Sequence, residues 1–218
     1  MQHELRRSSD SSLAARAAAD FLLVRAHEAI EQRGHFHVAV SGGRTPWPMF
    51  EALTSLDVPW SETTIYQVDD RAAPLDSQDR NLANLRRALG DVSVSIVPMP
   101  VDGDLDEGSC AYEALLPDAF DLVHLGLGPD GHTASLLPGD PVLEVKDRLV
   151  SATGVYQGWR RMTLTYPGLS RARWLLWLIA GAHEQAPLAK LLDGDPSIPA
   201  SHVEAPRSTI FADEAAAP

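Results

Sequence analysis

Apolar runs a few residues long alternate along the chain with segments of helical period, and this alternation is the main signal of its architecture. Leu13 to Gln32 is Ala-rich and carries Leu13, Ala17, Phe21, Val24 and Ile30 at roughly helical spacing. Ser8 to Asp10 supply N-caps and Gly34 a stop, which predicts a long helix. Phe36 to Val40 predicts a strand, and Met49 to Leu56 continue a helix that Pro46 or Pro48 can open. The β-branched run Thr63 to Val68 predicts another strand. Asp79 offers an N-cap for a helix over Leu82, Leu85 and Leu89, with Gly90 after it. Val92 to Val97 is a predicted strand, Asp106 to Leu116 a short helix, and Phe120 to Leu127 a buried strand closed by glycines. Arg148 to Ala152, Arg161 to Tyr166 and Arg173 to Ile179 predict three more strands. Glu184 to Leu192 predicts a helix, and Ser208 to Phe211 a last short element.

Strands and helices alternating at this spacing imply βαβ units, a mostly parallel sheet and an α/β fold. In such sheets ligands bind beyond the carboxyl ends of the strands. Three turns each follow a predicted strand directly: Ser41 to Pro46, Asp69 to Arg71, and Gly126 to His132. They are expected to converge on one edge although they lie far apart in sequence.

Length and charge narrow the function. The chain has 218 residues and no repeat or linker-like stretch, so one domain over 1–218 is expected. The formal net charge of −12 argues against a nucleic-acid or anionic-membrane surface. The start is polar without a signal-type apolar core, and Cys110 is the only cysteine, which points to the cytoplasm. The most apolar run, Trp174 to Ala182, is too short to span a bilayer.

Each turn suits a particular chemistry. Ser41-Gly42-Gly43-Arg44-Thr45-Pro46 resembles a phosphate cradle, with free backbone N–H groups at a helix start and two hydroxyls. The plainer alternative is a tight strand-to-helix turn that needs glycine. Arg71 can fork onto a phosphate, with Asp69 and Asp70 as partners for a hydroxyl or a proton. Gly126 to Gly131 spells G-x-G-x-x-G after a strand, but Pro129 sits inside it and Pro138 follows soon after, which disfavours a dinucleotide site. His132 is the candidate general base and Asp130 its orienting partner. The histidines lack zinc-ligand spacing apart from His35-x-His37, and there is no G-x-S-x-G elbow.

With these residues placed, the chain resembles the 6-phosphogluconolactonases over most of its length. Ser41 to Pro46 resembles the family's S-G-G-x-T-P turn, and Asp69-Asp70-Arg71 with Pro74 and Asn81 its D-E-R…P…S-N segment. Gly126 to Gly139 resembles the signature G-x-G-x-D-G-H-T-A-S-L-F-P-G, with Leu137 in place of Phe. Arg161 to Thr165, Pro199-Ala200-Ser201 and Asp213 to Ala216 resemble its later pieces. Asp70 departs from the usual Glu, Arg80 from Ser, and Glu184 stands where G-x-x-K after Gly181 would place a lysine.

The resemblance implies a three-layer Rossmann-like fold, helices on both faces of the sheet, and hydrolysis of a phosphosugar lactone without metal or organic cofactor. It implies phosphate and substrate binding by Ser41, Gly42, Gly43, Arg44, Thr45, Asp69, Arg71, Gly128, Gly131 and Arg161, with His132 and Asp130 catalytic. A monomer or weak homodimer with no nucleic-acid or membrane partner is expected. The alternatives are the related glucosamine-6-phosphate deaminases, whose signature continues differently after D-G-H, and a non-catalytic sugar-phosphate binder.

Overall fold

A computed structural model describes residues 2–218. The elements run β1 (Glu4–Ser8), α1 (Ser11–Arg33), β2 (Phe36–Val40), α2 (Trp47–Leu53), β3 (Thr63–Gln67), β4 (Asp69–Arg71), α3 (Asn81–Leu89) and β5 (Ser95–Val97). They continue with α4 (Leu105–Glu113), β6 (Leu122–Leu125), β7 (Val150–Tyr156), β8 (Trp159–Leu164), α5 (Tyr166–Leu169), β9 (Leu175–Ile179), α6 (Gln185–Asp193) and β10 (Ser208–Asp213). No helix among the described residues is long and apolar enough to cross a membrane.

Seven strands form the main sheet in the order β1-β10-β9-β6-β2-β3-β5, with every neighbouring pair parallel. From β2 the chain first winds outward through β3 and β5, then returns to the other side of β2 with β6. The strand order therefore reverses between β2 and β6, which is where such a sheet opens a crevice. Alternate side chains feed two apolar layers, as the two-residue strand period requires. Val38, Val40, Ile65 and Leu122 join α1, α2 and α3 on one face. Ala39, Tyr66, Val123 and Trp177 face the other, with Leu105 and Tyr112 of α4 and Leu188 and Leu191 of α6.

That second face also carries a small antiparallel sheet, β4-β8-β7. β7 and β8 are joined by Gln157 and Gly158, both at positive φ (51° and 87°), the geometry of a tight two-residue hairpin turn. The expected parallel strands Arg148 to Ala152 and Arg161 to Tyr166 are thus one hairpin, and Asp69 to Arg71 is its third strand rather than a turn. Tyr166 instead opens the short helix α5.

Two further expectations are corrected. Leu13 and Val24 on α1 are exposed, while Ala14, Ala15, Ala18, Ala19, Ala26 and Ala29 are buried. Phe21 and Leu22 are buried with them, so the buried face is an alanine stripe with two large residues, and Phe21 lies where its spacing predicts. β1 is a polar edge strand paired only with β10, and its sequence ELRRS has no period-two signal to reveal it.

The helix expected to be capped by Asp79 has Arg80 at its N-cap position and no side-chain cap there. The carboxylate that does the work is Asp70, from β4. Its Oδ1 accepts from the Asn81 N–H at 2.7 Å and the Arg71 N–H at 2.8 Å. Its Oδ2 accepts from Gln67 Nε2 at 2.9 Å, and from Leu82 N and Arg80 Nε at 3.3 Å. Asp70 and Arg80 are both essentially inaccessible to water. Asp70→Ala is expected to destabilise the fold by about 3–5 kcal/mol, because it leaves the Arg80 charge buried with less compensation; the midpoint of urea unfolding measures this.

Candidate active site

At the β2/β6 reversal a cleft of about 180 Å³ opens, walled by the turns that follow these two strands. The β2 wall begins at Ser41, whose N–H donates to the His124 carbonyl at 3.1 Å. Gly42 packs so tightly on the Asn81 amide that a Cβ there would overlap it, and Gly43 has φ +115°. Glycine is therefore required for both space and conformation. The N–H groups of Gly42, Gly43, Arg44 and Thr45 have no acceptor among the described residues. The Ser41 hydroxyl is likewise unpartnered and buried. Free donors just ahead of α2 make this wall an anion cradle.

The β6 wall is a closed turn. Gly131 N–H donates to the Gly128 carbonyl at 2.9 Å, and Gly128 N–H donates to the His132 carbonyl at 2.8 Å. Pro129 and Gly131 fit the second and fourth positions of a type I turn. Asp130 Oδ1 accepts from the His132 backbone N–H at 3.2 Å and lies 2.5 Å from His132 Nδ1. A carboxylate only accepts, so Nδ1 carries a proton, and in the neutral ring Nε2 is the nitrogen with the lone pair. The ring lies directly over Gly128, where a Cβ would overlap it, and meets Tyr156 edge-on at 5.9 Å. Partial burial pushes the Asp130 carboxyl up, but the His132 bonds and charge outweigh it and hold the group below its ordinary range.

Between the walls sits Asp69, 5% exposed. It accepts from the Ser135 hydroxyl at 2.7 Å and Asn81 Nδ2 at 3.2 Å. Burial drives its carboxyl upward, opposed by the Ser135 bond and the Arg161 and Arg71 charges. Arg71 lines the cleft with Nη1 donating to the Asp79 carbonyl at 2.9 Å and Nε unpartnered. Glu184, at the start of α6, lines the cleft as well. Burial raises its carboxyl, with Arg44 among the charges that pull it back.

Of the residues expected from sequence, Ser41, Gly42, Gly43, Thr45, Asp69, Arg71, Gly128 and His132 line one cleft. Asp130 stands behind His132. Three positions differ from expectation. Arg161 is 3% exposed, stacked 4.9 Å from the Tyr156 ring and close enough for its charge to act on Asp69, and it is not among the residues that line the cleft. Gly131 makes room for Ile198, against which any Cβ would collide. The Arg44 side chain is exposed and outside the cleft lining.

Thr133, Ala134 and Leu178 to Ala180 at the carboxyl end of β9, none of them expected at the site from sequence, also line the cleft. The signal for the last was available, because β9 is another parallel strand and adjoins β6. Ala134 sits at φ +50°, a conformation no side-chain type advertises. No helix follows the glycine turn, so the dinucleotide reading of G-x-G-x-x-G is excluded. Among the described residues no group of His, Cys, Asp and Glu is placed to hold a metal.

Residues 9–212 match the family model described as glucosamine-6-phosphate isomerases/6-phosphogluconolactonase. A 6-phosphogluconolactonase of Synechocystis is 39% identical over 189 residues, covering 79% of this chain and 78% of that protein. One from Caulobacter vibrioides is 34% identical over 203 residues, 86% of both chains. The crystal structure of 6-phosphogluconolactonase from Thermotoga maritima superposes with a TM-score of 0.88 at 26% identity, covering 98% of this chain and 100% of that one.

The Asp130–His132 pair has a checkable sign. An NMR titration is expected to find Asp130 below the ordinary carboxylate range, and His132→Ala to raise it. A carboxyl depressed by folding stabilises the fold above its unfolded pKa. That contribution fades as the pH falls through the folded value.

Proposed function

The chain belongs to the glucosamine-6-phosphate isomerase/6-phosphogluconolactonase family, and on that premise we propose that it hydrolyses 6-phospho-D-glucono-1,5-lactone to 6-phospho-D-gluconate in the oxidative pentose phosphate pathway. The observation that carries the reading is the pairing of an anion cradle with a tautomer-fixed histidine across one cleft. The names borne by relatives at 34% and 39% identity support the lactone over an amino sugar.

In this reading the N–H groups of Gly42 to Thr45, with the Ser41 and Thr45 hydroxyls, take the substrate phosphate, and Arg71 adds charge. His132 Nε2 removes a proton from water as its oxygen attacks the lactone carbonyl carbon. Asp130 stabilises the imidazolium that results. The tetrahedral intermediate then collapses, the bond from the former carbonyl carbon to the ring oxygen breaks, and that oxygen takes the proton back from His132. The product is an open-chain acid, which ionises.

Donors to the developing oxyanion are also needed. The N–H groups of Gly128 and Gly131 are spent inside their own turn. The oxyanion therefore draws on donors other than these two and other than the Gly42 to Thr45 N–H groups that take the phosphate. Glu184 offers an acceptor to the sugar hydroxyls. Asp69 acts by holding Asn81 and Ser135 rather than by moving protons.

The test is acid release from freshly prepared lactone, read against the spontaneous rate. His132→Ala is expected to lower the enzyme-dependent kcat by ~10²–10⁴. Asp130→Asn, which no longer fixes the tautomer, should lower kcat with little change in KM. Ammonia release from glucosamine 6-phosphate is expected to be absent. Undiminished lactone hydrolysis by the His132 variant would refute the assignment of the base.

A further inference from the structure

The opposite edge of the sheet, at the amino ends of β6, β9 and β10, holds a second polar cavity of about 360 Å³. Arg25, Arg33, Arg173 and Arg207 line it together with Trp174. Two carboxylates, Glu28 and Asp121, face these four guanidinium groups. The cavity is therefore locally cationic in a chain whose net charge is −12.

The arginines are not all spent on structure. Arg33 Nε donates to Asp121 Oδ1 at 2.8 Å, and Arg25 Nη2 donates to Glu28 Oε1 at 2.7 Å. Asp121 Oδ2 is also occupied, accepting from the His37 N–H at 2.8 Å. Arg173 Nε makes only a long ion pair with Asp121 Oδ1, at 3.7 Å and beyond hydrogen-bond reach. Neither Arg173 nor Arg207 donates a side-chain hydrogen bond to any described residue, and Arg25 Nε is buried without a partner. The Arg25 and Arg207 guanidinium carbons lie 4.5 and 4.9 Å from the Trp174 ring centre.

A guanidinium stacked on an aromatic ring is held in place while its N–H edge stays available, so binding an anion costs less ordering. The Arg173 and Arg207 forks, neither of which donates a side-chain hydrogen bond, can each take one phosphoryl group bidentately. The Trp174 indole is already engaged by the two stacked guanidinium groups, so the recognition falls on the phosphoryl oxygens.

We propose that this cavity is a second anion site, separate from the cleft, that takes a small ligand carrying two linked phosphoryl groups. Inorganic pyrophosphate and a nucleoside diphosphate share that chemistry. The site is independent of the lactonase reading, because none of its residues lines the cleft.

Calorimetric titration at low ionic strength tests it, with the intact chain and saturating 6-phosphogluconate to occupy the cleft. Pyrophosphate and ADP are the probes, with inorganic phosphate as the single-phosphoryl control. One equivalent of pyrophosphate should bind per chain, more tightly than phosphate. Equal affinities for pyrophosphate and ADP would assign the site to the diphosphate alone, and a tighter ADP would assign it to a nucleotide. Arg173→Ala combined with Arg207→Ala should weaken pyrophosphate at least ~10-fold with the circular dichroism unchanged and lactone turnover as in the parent. Both side chains are exposed, so loss of fold is not the expected route. Absence of binding, equal affinity in the double variant, or phosphate binding as tightly as pyrophosphate would overturn the proposal.

Discussion

Asp70 is a carboxylate without access to water, and the active edge of the molecule is hung from it. In bulk solvent its charge would be hydrated; here backbone N–H groups of α3, the Gln67 amide and the Arg80 guanidinium replace the water. Such a group is stable only when all of its acceptor capacity is used. Because the donors come from separate elements, satisfying the charge fixes β4 against the start of α3. That in turn sets Asn81 against Gly42 on one side and Asp69 on the other. The glycine turn after β2 is thus shaped by a residue that never reaches the cleft.

The fold was legible in sequence where side-chain period and burial agree. β2, β3, β6 and β9 are buried on both faces and appear as short apolar runs, and their order predicted a parallel sheet with turns meeting at one edge. The strand-end argument alone, without any motif, brought Ser41, Asp69 and His132 to a common place. Elements whose stability comes from partners rather than composition were not legible. β4 is three charged residues held as a strand by β8. α1 buries Phe21 and Leu22 but otherwise alanines, which carry a weak hydropathy signal, while its equally apolar Leu13 and Val24 face solvent.

The candidate site divides in the same way. Glycines announced both turns, and Asp-Gly-His announced a possible base. The role of each charge was less legible, because it depends on depth. Arg71 and Arg161 are directly opposed across β4 and β8 and so share a face of the small sheet, yet Arg71 lines the cleft while Arg161 is covered and stacked on Tyr156. Residue type and register cannot distinguish them, since the difference is set by what packs over each guanidinium. Glu184, a departure from the family pattern, does line the cleft, so the departure bears on the site rather than on a remote surface.

The anion cradle and the histidine turn leave adjacent parallel strands. Neighbouring strands lie about 4.8 Å apart, a spacing set by backbone hydrogen bonds and insensitive to side chains. The sheet therefore fixes where the two loops start, side by side at one edge. How far His132 then stands from the glycine turn after β2 is set by the loops themselves, by the Gly128 to Gly131 turn and by the Asp130 carboxylate that holds the ring. A strand pairing that carries no functional side chain is thus what makes two segments more than eighty residues apart in sequence into neighbours.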